Sequence, residues 1–268
     1  MKISDLKVCR LKIFFVSMII AVSCAGQENK PAAGEAFSEL AGDIVNKLPG
    51  GIWEGSKETF SRTDNITALL LAGGASVVMH NDSADDKIAD SFEHHRRFNE
   101  GMDRTFDFAG GPGAHFAATG IWYIISVENQ SELNKSRSWT MMKALSITGL
   151  TTIGLKAVRN NGTPNDKGLA WPSGHTSSSF TVASVLDEFY GPAVGIPAYG
   201  LASVVAWRMM DTGDHWASDV VFGATLGWVV GHTVAGKDKK LEVAGFNVLP
   251  YIANDGRQVA GVNLLRRF

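Results

Sequence analysis

Two histidines and one carboxylate have the types and spacing that acid–base and nucleophilic chemistry require. His215 and Asp219 are four residues apart, so on a helix they share a face and the carboxylate can hold the imidazole. His175 directly follows the pair Ser173-Gly174. A histidine braced by a carboxylate is the arrangement of a nucleophile, and an unbraced histidine beside an anion site is that of a general acid.

The residues after Gly174 predict how an anion would be held. Apolar side chains recur three residues apart from Phe180 to Phe189, which indicates one face of a helix. A Gly-containing turn that leads into a helix directs free backbone N–H groups and the positive end of the helix dipole outward. We therefore expect an anion-binding turn at Ser173 and Gly174, beside His175.

Three blocks of the sequence carry a resemblance to a known family. They are Lys156 to Pro164, then Pro172-Ser173-Gly174-His175, then Arg208 to Asp219, which continues into 220–224. In order and separation they resemble the type 2 phosphatidic acid phosphatase / vanadium haloperoxidase superfamily, which includes the bacterial class A acid phosphatases. That family has the blocks Lys-x6-Arg-Pro, Pro-Ser-Gly-His and Ser-Arg-x5-His-x3-Asp. The resemblance runs from about residue 65 to 236.

The first block departs from the family pattern at one position. It begins at Lys156 and keeps Pro164, but Thr163 stands where the family has Arg. Arg offers phosphate a permanent charge and two parallel hydrogen bonds, whereas Thr offers one hydroxyl. Arg159 lies nearby in sequence, and with a shifted loop its guanidinium would reach the site. The alternative is that Arg159 is a solvated charge.

The third block is one residue longer than the family pattern. Arg208 lies one residue further from His215 than usual, and Ala206-Trp207 replaces the Ser. One residue on a helix turns a side chain through about 100°. The alternative is that residues 211–214, which have the composition of a loop, accommodate the extra residue.

The resemblance implies a role for each matched residue. His215 would attack phosphorus and form a phosphohistidine, Asp219 would fix its tautomer, and His175 would protonate the leaving alkoxide and later activate water. The groups implied to hold the phosphoryl oxygens are Lys156, Arg208, Ser173 and the Gly174 amide, with Thr163 and Arg159 as further candidates. The resemblance implies no metal and no cofactor. Vanadate is expected as an inhibitor, or as the cofactor if the protein is a haloperoxidase.

Six apolar stretches indicate the helices that position these residues, and they predict an all-α bundle of about six helices, as the resemblance also implies. They lie near 66–80, 114–127, 140–158, 177–190, 193–208 and 219–236. Residues 81–107 are charged and predict a solvated helix-and-loop excursion rather than a metal site. In the tail, Asn254-Asp255-Gly256 separates two runs of partial alternation, which predicts a C-terminal β-hairpin.

The first residues predict an export signal. Basic residues precede an apolar run from Ile13 to Val22, followed by small residues. The run Ala21-Val22-Ser23-Cys24 resembles a bacterial lipoprotein box, in which Cys24 is acylated; the alternative is cleavage after Ala25. We predict a signal peptide over 1–24, a tether and N-terminal segment over 25–60 that is flexible to about residue 38, a catalytic domain over 61–236 and a tail over 237–268.

Composition bounds the partners and the location. The formal net charge is −2 with no basic stripe, which argues against nucleic acid. Mean hydropathy is +0.01, low for a chain with six membrane spans, although several stretches approach spanning length without charge. We expect a soluble exported body, lipid-anchored at the periplasmic face of the bacterial envelope. The alternative is an integral membrane protein with several spanning helices. The sequence does not indicate the oligomeric state.

The leading functional hypothesis is an exported, metal-independent acid phosphatase. It would hydrolyse phosphomonoesters, lipid phosphates and lipid pyrophosphates among them, through a phosphohistidine, with a phosphorylated small molecule or lipid and a membrane surface as partners. A second hypothesis, favoured by Thr163 and by the Arg208 spacing, is a weakly active or inactive anion-binding envelope protein. A third, which the loss of Arg makes weaker, is a vanadate-dependent haloperoxidase.

Overall fold

The computed structural model describes residues 33–236, 242–243, 246–254 and 258–265. Within these ranges the chain forms ten helices and three strands. The helices are α1 Ala33–Asn46, α2 Leu48–Ser61, α3 Thr63–Asn81, α4 Ala84–His94, α5 Glu100–Gly110, α6 Pro112–Glu128, α7 Glu132–Arg159, α8 Gly174–Tyr190, α9 Pro192–Asp211 and α10 Ala217–Gly236. The strands are β1 Glu242–Val243, β2 Phe246–Asn254 and β3 Gln258–Leu265.

The predicted all-α bundle is confirmed, but the number of helices is not. Each of the six apolar stretches lies in a helix, namely α3, α6, α7, α8, α9 and α10. Four shorter helices, α1, α2, α4 and α5, bring the total among the described residues to ten, so the predicted count of about six is wrong. These four are rich in charge or glycine, and their helicity depends on docking against the bundle rather than on a strong apolar pattern.

The chain is helical from Ala33, where a flexible tether to about residue 38 was predicted, so that prediction is wrong from Ala33 onward. Helix α1 buries Ala36 and Leu40 in a cluster with Tyr123 of α6. The Tyr123 hydroxyl donates a hydrogen bond to Asp43 at 2.7 Å. Helix α1 is therefore docked by two small or apolar residues four apart and by one polar contact. Its composition alone did not predict a helix.

Helices α8 and α10 approach each other closely because a row of glycines on α10 faces α8. A Cβ added at Gly227 would lie 2.2 Å from the carbonyl oxygen of Ser177, and one at Gly231 would lie 2.8 Å from that of Thr181. Only glycine allows backbones to come this close. The contact holds the N-terminal end of α10 beside that of α8, which are the two ends that carry the predicted catalytic residues.

Helix α7 is joined to α8 by hydroxyl pairs inside an apolar core. Thr148 and Thr181 lie 2.8 Å apart between their hydroxyl oxygens, and Thr152 and Ser177 lie 3.1 Å apart. The surrounding core contains Leu145, Ile147, Val185, Leu226 and Val230. These paired hydroxyls fix the C-terminal end of α7, which carries the first sequence block, against the start of α8.

The three strands form one antiparallel sheet in the order β1-β2-β3. Strands β2 and β3 pair with Tyr251 opposite Gly261. The predicted turn residues Asp255 and Gly256 lie outside the described residues, so the hairpin as a whole stays a prediction. The export signal and Cys24 also lie outside the described residues, and they stay predictions.

Candidate active site

His215 and Asp219 form a buried pair at the start of α10. The Nδ1 atom of His215 lies 3.2 Å from Asp219 Oδ2, and the amide of Trp216 donates to the same oxygen at 2.9 Å. His215 is 9% exposed and Asp219 is 0% exposed. His215 precedes the first residue of α10, so the pair bridges a turn and a helix rather than lying on one helix face. With its proton on Nδ1, the imidazole carries its lone pair on Nε2.

The turn before α8 has the features of an anion site. Ser173 is the N-cap of α8, and its hydroxyl accepts a hydrogen bond from the amide of Thr176. The amides of Gly174 and His175, in the first turn, have no intrahelical acceptor. The amide of Ser173 donates to the carbonyl of Asp219 at 3.1 Å, which links this turn to the other half of the site. Because Ser173 is fully buried, it shapes the turn, and its direct contact with a phosphoryl oxygen stays a prediction.

His175 lies beside a carboxylate from α5. Its Nε2 atom is 3.4 Å from Asp107 Oδ1. Burial lowers the pKa of His175 below its ordinary value, the Asp107 carboxylate opposes this, and Arg208 and His215 lower it further. The imidazole is therefore largely neutral at pH 7, with a charged partner that favours its protonated form during reaction.

Arg208 is the centre of a group of three carboxylates. Its Nε lies 2.6 Å from Asp103 Oδ1, and its Nη1 lies 3.0 Å from Asp107 Oδ1 and 2.7 Å from Asp214 Oδ2. Since Asp107 also contacts His175, the structure brings Arg208 into the site. In this state carboxylates occupy Nε and Nη1 of the guanidinium, and an incoming anion would have to displace them from those two atoms.

The extra residue of the third block is taken up in a turn. Helix α9 ends at Asp211, and Gly213 in the following turn has a φ of +70°, a conformation that glycine adopts without strain. The Thr212 hydroxyl donates to Asp214 at 2.9 Å and stabilises this turn. The structure therefore contradicts the alternative in which the extra residue turns the Arg208 side chain away from the site.

Lys156 contacts the loop that leads into α8. Its Nζ donates to the carbonyl of Ala170 at 3.0 Å and to that of Leu169. Burial lowers its pKa, which the nearby carboxylate of Asp219 opposes. The structure thus places Lys156 next to the histidine–carboxylate pair, with its donors directed at the loop that precedes α8.

Thr163 and Arg159 are not brought to the histidines. The Thr163 hydroxyl lies 2.7 Å from Asn165 Oδ1 and accepts the amide of Lys167 at 2.9 Å, so it organises its own loop. The guanidinium carbon of Arg159 lies 5.3 Å from the ring centroid of Trp171. Among the residues that the structure describes, neither side chain hydrogen-bonds to His175 or His215.

Sequence reasoning missed several polar residues of the site. Asp103 and Asp107 come from a segment predicted to be a solvated excursion; their signal was two carboxylates spaced four apart before a Gly-rich break. Asp85, also predicted to be solvated, is 2% exposed and accepts the amide of Ser218 at 2.9 Å. That prediction is wrong because α4 folds against the start of α10. Within the described part of the chain, no cluster of three or more His, Cys, Asp or Glu could hold a metal ion.

These features define a class before any relative is considered: an all-α bundle with a histidine–carboxylate site where the ends of several helices meet. The comparison with known families agrees with this. The PAP2 superfamily matches residues 82–240, more than half of the chain, and the chain belongs to that superfamily. The family predicted from the three sequence blocks is confirmed.

Three relatives show how far the similarity extends. A lipid A 1-phosphatase of Porphyromonas gingivalis is 26% identical over 146 residues, which cover 48% of this chain and 32% of that protein. The chain therefore spans about a third of that relative's length. The crystal structure of a transmembrane PAP2 type phosphatidylglycerolphosphate phosphatase from Bacillus subtilis matches with a TM-score of 0.54 and 20% identity, covering 68% of this chain and 96% of that one. The structure of LpxE from Aquifex aeolicus matches with a TM-score of 0.48 and 19% identity, covering 55% and 92%.

Proposed function

We propose that this protein is a metal-independent phosphatase that hydrolyses phosphomonoesters of lipids through a phosphohistidine on His215. The observation that carries the proposal is the buried pair of His215 and Asp219, set against the first-turn amides of α8 and next to His175. The similarity to a lipid A 1-phosphatase and to a phosphatidylglycerolphosphate phosphatase supports a lipid phosphate as substrate.

The reaction follows from the positions of the two histidines. The Nε2 lone pair of His215 attacks phosphorus and forms a P–N bond while the P–O bond to the leaving group breaks. His175 gives its proton to the leaving oxygen, and Asp219 stabilises the imidazolium that forms on His215. In the second half, neutral His175 takes a proton from water, the water oxygen attacks phosphorus and the P–N bond breaks. Inorganic phosphate leaves with both histidines restored.

The developing negative charge has several donors nearby. The amides of Gly174 and His175 lie at the positive end of the α8 dipole, and Arg208 and Lys156 supply positive charge. A phosphoryl group bound to Arg208 would take the place of Asp107 or Asp103, since both are partly exposed and contact the guanidinium at its edge. We expect this exchange to accompany substrate binding.

The surface of the bundle supports contact with a lipid bilayer. Leu70 of α3, Ile153 of α7 and Ile196 of α9 are large apolar side chains that remain more than half exposed. Six helices have middle segments without Asp, Glu, Lys or Arg: 65–79, 116–127, 144–155, 176–186, 192–207 and 220–231. Among the described helices, α9 is the one long and apolar enough to cross a membrane by length and composition. Exposed apolar area of this extent favours the integral-membrane alternative over a soluble body held by an anchor alone.

Replacing Cys24 separates these two arrangements. If lipid on Cys24 is the only attachment, Cys24→Ser protein should appear in the soluble fraction after alkaline carbonate extraction. If the apolar surface lies in lipid, Cys24→Ser protein should stay in the membrane fraction and need detergent for release. We expect the second result, and mass spectrometry of the native protein's N-terminus decides whether Cys24 is acylated.

A second candidate function is supported by the state of Arg208 and Thr163. A weakly active anion-binding protein would also have Arg208 held by three carboxylates and Thr163 hydrogen-bonded within its own loop. An assay on purified protein in EDTA, with p-nitrophenyl phosphate and a phosphatidic acid, distinguishes the two. We expect hydrolysis that His215→Ala abolishes and that His94→Ala, an exposed histidine of α4, leaves unchanged. Bromide oxidation by the vanadate-loaded protein would instead indicate the haloperoxidase function.

A further inference from the structure

One carboxylate next to the nucleophile holds two cations from different parts of the chain. Asp214, which immediately precedes His215, accepts Lys167 Nζ at its Oδ1 at 2.8 Å and Arg208 Nη1 at its Oδ2 at 2.7 Å. One carboxylate therefore bridges two positive charges, and a phosphoryl group, with three strong acceptor oxygens, is chemically able to do the same. Lys167 belongs to none of the three sequence blocks.

The loop that carries Lys167 is clamped to the turn before His215. The Thr163 hydroxyl accepts the Lys167 amide at 2.9 Å, and the Thr163 amide donates to the Lys167 carbonyl at 2.8 Å. Asn165 donates through its side chain to Asp214 at 2.9 Å, and its amide donates to the Gly213 carbonyl at 3.1 Å. The backbone of Lys167 is therefore fixed relative to the site, while its side chain can turn.

Lys167 differs from the other two cations of the site in how fully it is engaged. Lys156 donates to two backbone carbonyls, and Arg208 is shared by three carboxylates in a buried position. The Lys167 side chain is 69% exposed and pairs with one oxygen. Burial opposes ionisation of Asp214, but hydrogen bonds from Lys167, Asn165 and Thr212, together with Arg208, lower its pKa to about 2. The carboxylate thus stays charged and keeps Arg208 when Lys167 leaves.

We propose that Lys167 is a phosphate-binding residue, which turns from Asp214 to the phosphoryl oxygens and supplies the charge that Thr163 does not. The proposal rests on the proposed phosphatase function. A lysine suits this role because its ammonium is a compact charge on a flexible four-carbon stem and can change partners, whereas a guanidinium is bound to one planar geometry. The ligand class is a dianionic phosphomonoester or inorganic phosphate.

The test compares Lys167→Ala and Lys167→Arg with Lys57→Ala, an exposed lysine of α2 at the other end of the bundle. KM is measured with p-nitrophenyl phosphate, and binding of inorganic phosphate is measured separately from the increase in unfolding temperature. For Lys167→Ala we expect KM and the phosphate dissociation constant to rise roughly tenfold, the usual effect of losing one charged hydrogen bond. We expect kcat to change less, Lys167→Arg, which keeps the charge but not the geometry, to fall between Lys167→Ala and the natural protein, and Lys57→Ala to match the natural protein.

The outcomes separate this inference from the phosphatase proposal. If His215→Ala abolishes hydrolysis but Lys167→Ala binds phosphate as tightly as the natural protein, the inference is overturned and the phosphatase stands. If the protein hydrolyses nothing yet binds phosphate in a manner that depends on Lys167, the inference stands and the phosphatase fails. If the natural protein neither hydrolyses phosphomonoesters nor binds phosphate, both are overturned.

Discussion

Asp85 accepts hydrogen bonds from both the backbone amide and the hydroxyl of Ser218, a residue 133 positions away in the chain. Ser218 lies in the first turn of α10, directly before Asp219, so a buried carboxylate of α4 caps the helix that carries the carboxylate partner of His215. The Ser76 hydroxyl donates to the Ser218 carbonyl at 3.1 Å and adds a contact from α3. The position of Asp219 is therefore set by helices that precede the three sequence blocks.

Asp85→Ala should weaken both stability and turnover. The substitution leaves the Ser218 amide buried without an acceptor, which we expect to lower the free energy of unfolding by about 1–3 kcal/mol. Chemical denaturation and kcat are the measurements. Asp86→Ala removes the neighbouring, exposed carboxylate and should change neither. Equal behaviour of the two variants would show that the cap does not position Asp219.

Asp103→Asn should strengthen phosphate binding. Asp103 is partly exposed and contacts Arg208 at 2.6 Å, so neutralising it removes one competitor for the guanidinium. We expect inorganic phosphate to inhibit at least about two- to fivefold more tightly, because even an exposed ion pair contributes a free energy of this size and this pair is partly buried. Glu100→Gln on the same helix, which removes an exposed charge paired with Arg104, is the control. Weaker inhibition in Asp103→Asn would mean that Asp103 holds Arg208 in its binding position rather than masking it.

The pH dependence of turnover should report on His175. Because burial lowers its pKa below the ordinary value and Asp107 opposes this, the protonated acid is lost as pH rises through this lowered pKa. We therefore expect kcat with a poor leaving group to fall as pH rises above this value. Asp107→Asn removes the group that raises the pKa, so the fall should move to lower pH. Asp107 contacts both His175 and Arg208, whereas the contact of Asp103 is with Arg208. Asp103→Asn should therefore leave the pH at which kcat falls unchanged.

Gly227→Ala should destabilise the bundle. The added methyl would lie 2.2 Å from the Ser177 carbonyl oxygen and 2.8 Å from the Thr181 amide, so α8 and α10 must separate. Overpacking of this kind lowers the free energy of unfolding by about 1–3 kcal/mol. Gly154→Ala on α7, where a Cβ meets nothing within 4 Å, should be neutral or slightly stabilising. A Gly227→Ala protein as stable as the natural one would contradict the close approach of these helices.

Local rules were sufficient for part of this site. The spacing of His215 and Asp219 predicted their contact, and the Ser173-Gly174 turn predicted the start of α8, because both features depend on neighbours in sequence. Asp85 and Asp103 could not be assigned in this way. Their partners, Ser218 and Arg208, are more than a hundred residues away, and their charged helices have the composition of a solvated surface.

Competing local hydrogen bonds explain why the family pattern did not predict the contacts of Thr163. A family pattern places Thr163 at a phosphate-binding position, but its hydroxyl finds nearer partners in Asn165 and Lys167. Short polar side chains in a loop commonly bind their own backbone in this way. The ion pair of Lys167, in the same loop, with Asp214 is not revealed by a motif comparison.

The most direct test of the account is to trap the covalent intermediate. The purified protein is mixed with p-nitrophenyl phosphate labelled with radioactive phosphorus, quenched in base, which preserves a phosphohistidine, and digested for mass spectrometry. We expect a phosphoryl group on His215, in larger amount in His175→Ala protein, because the second step then lacks its base while the good leaving group still departs. Steady hydrolysis with no label on His215, or with undiminished rate in His215→Ala protein, would contradict the account.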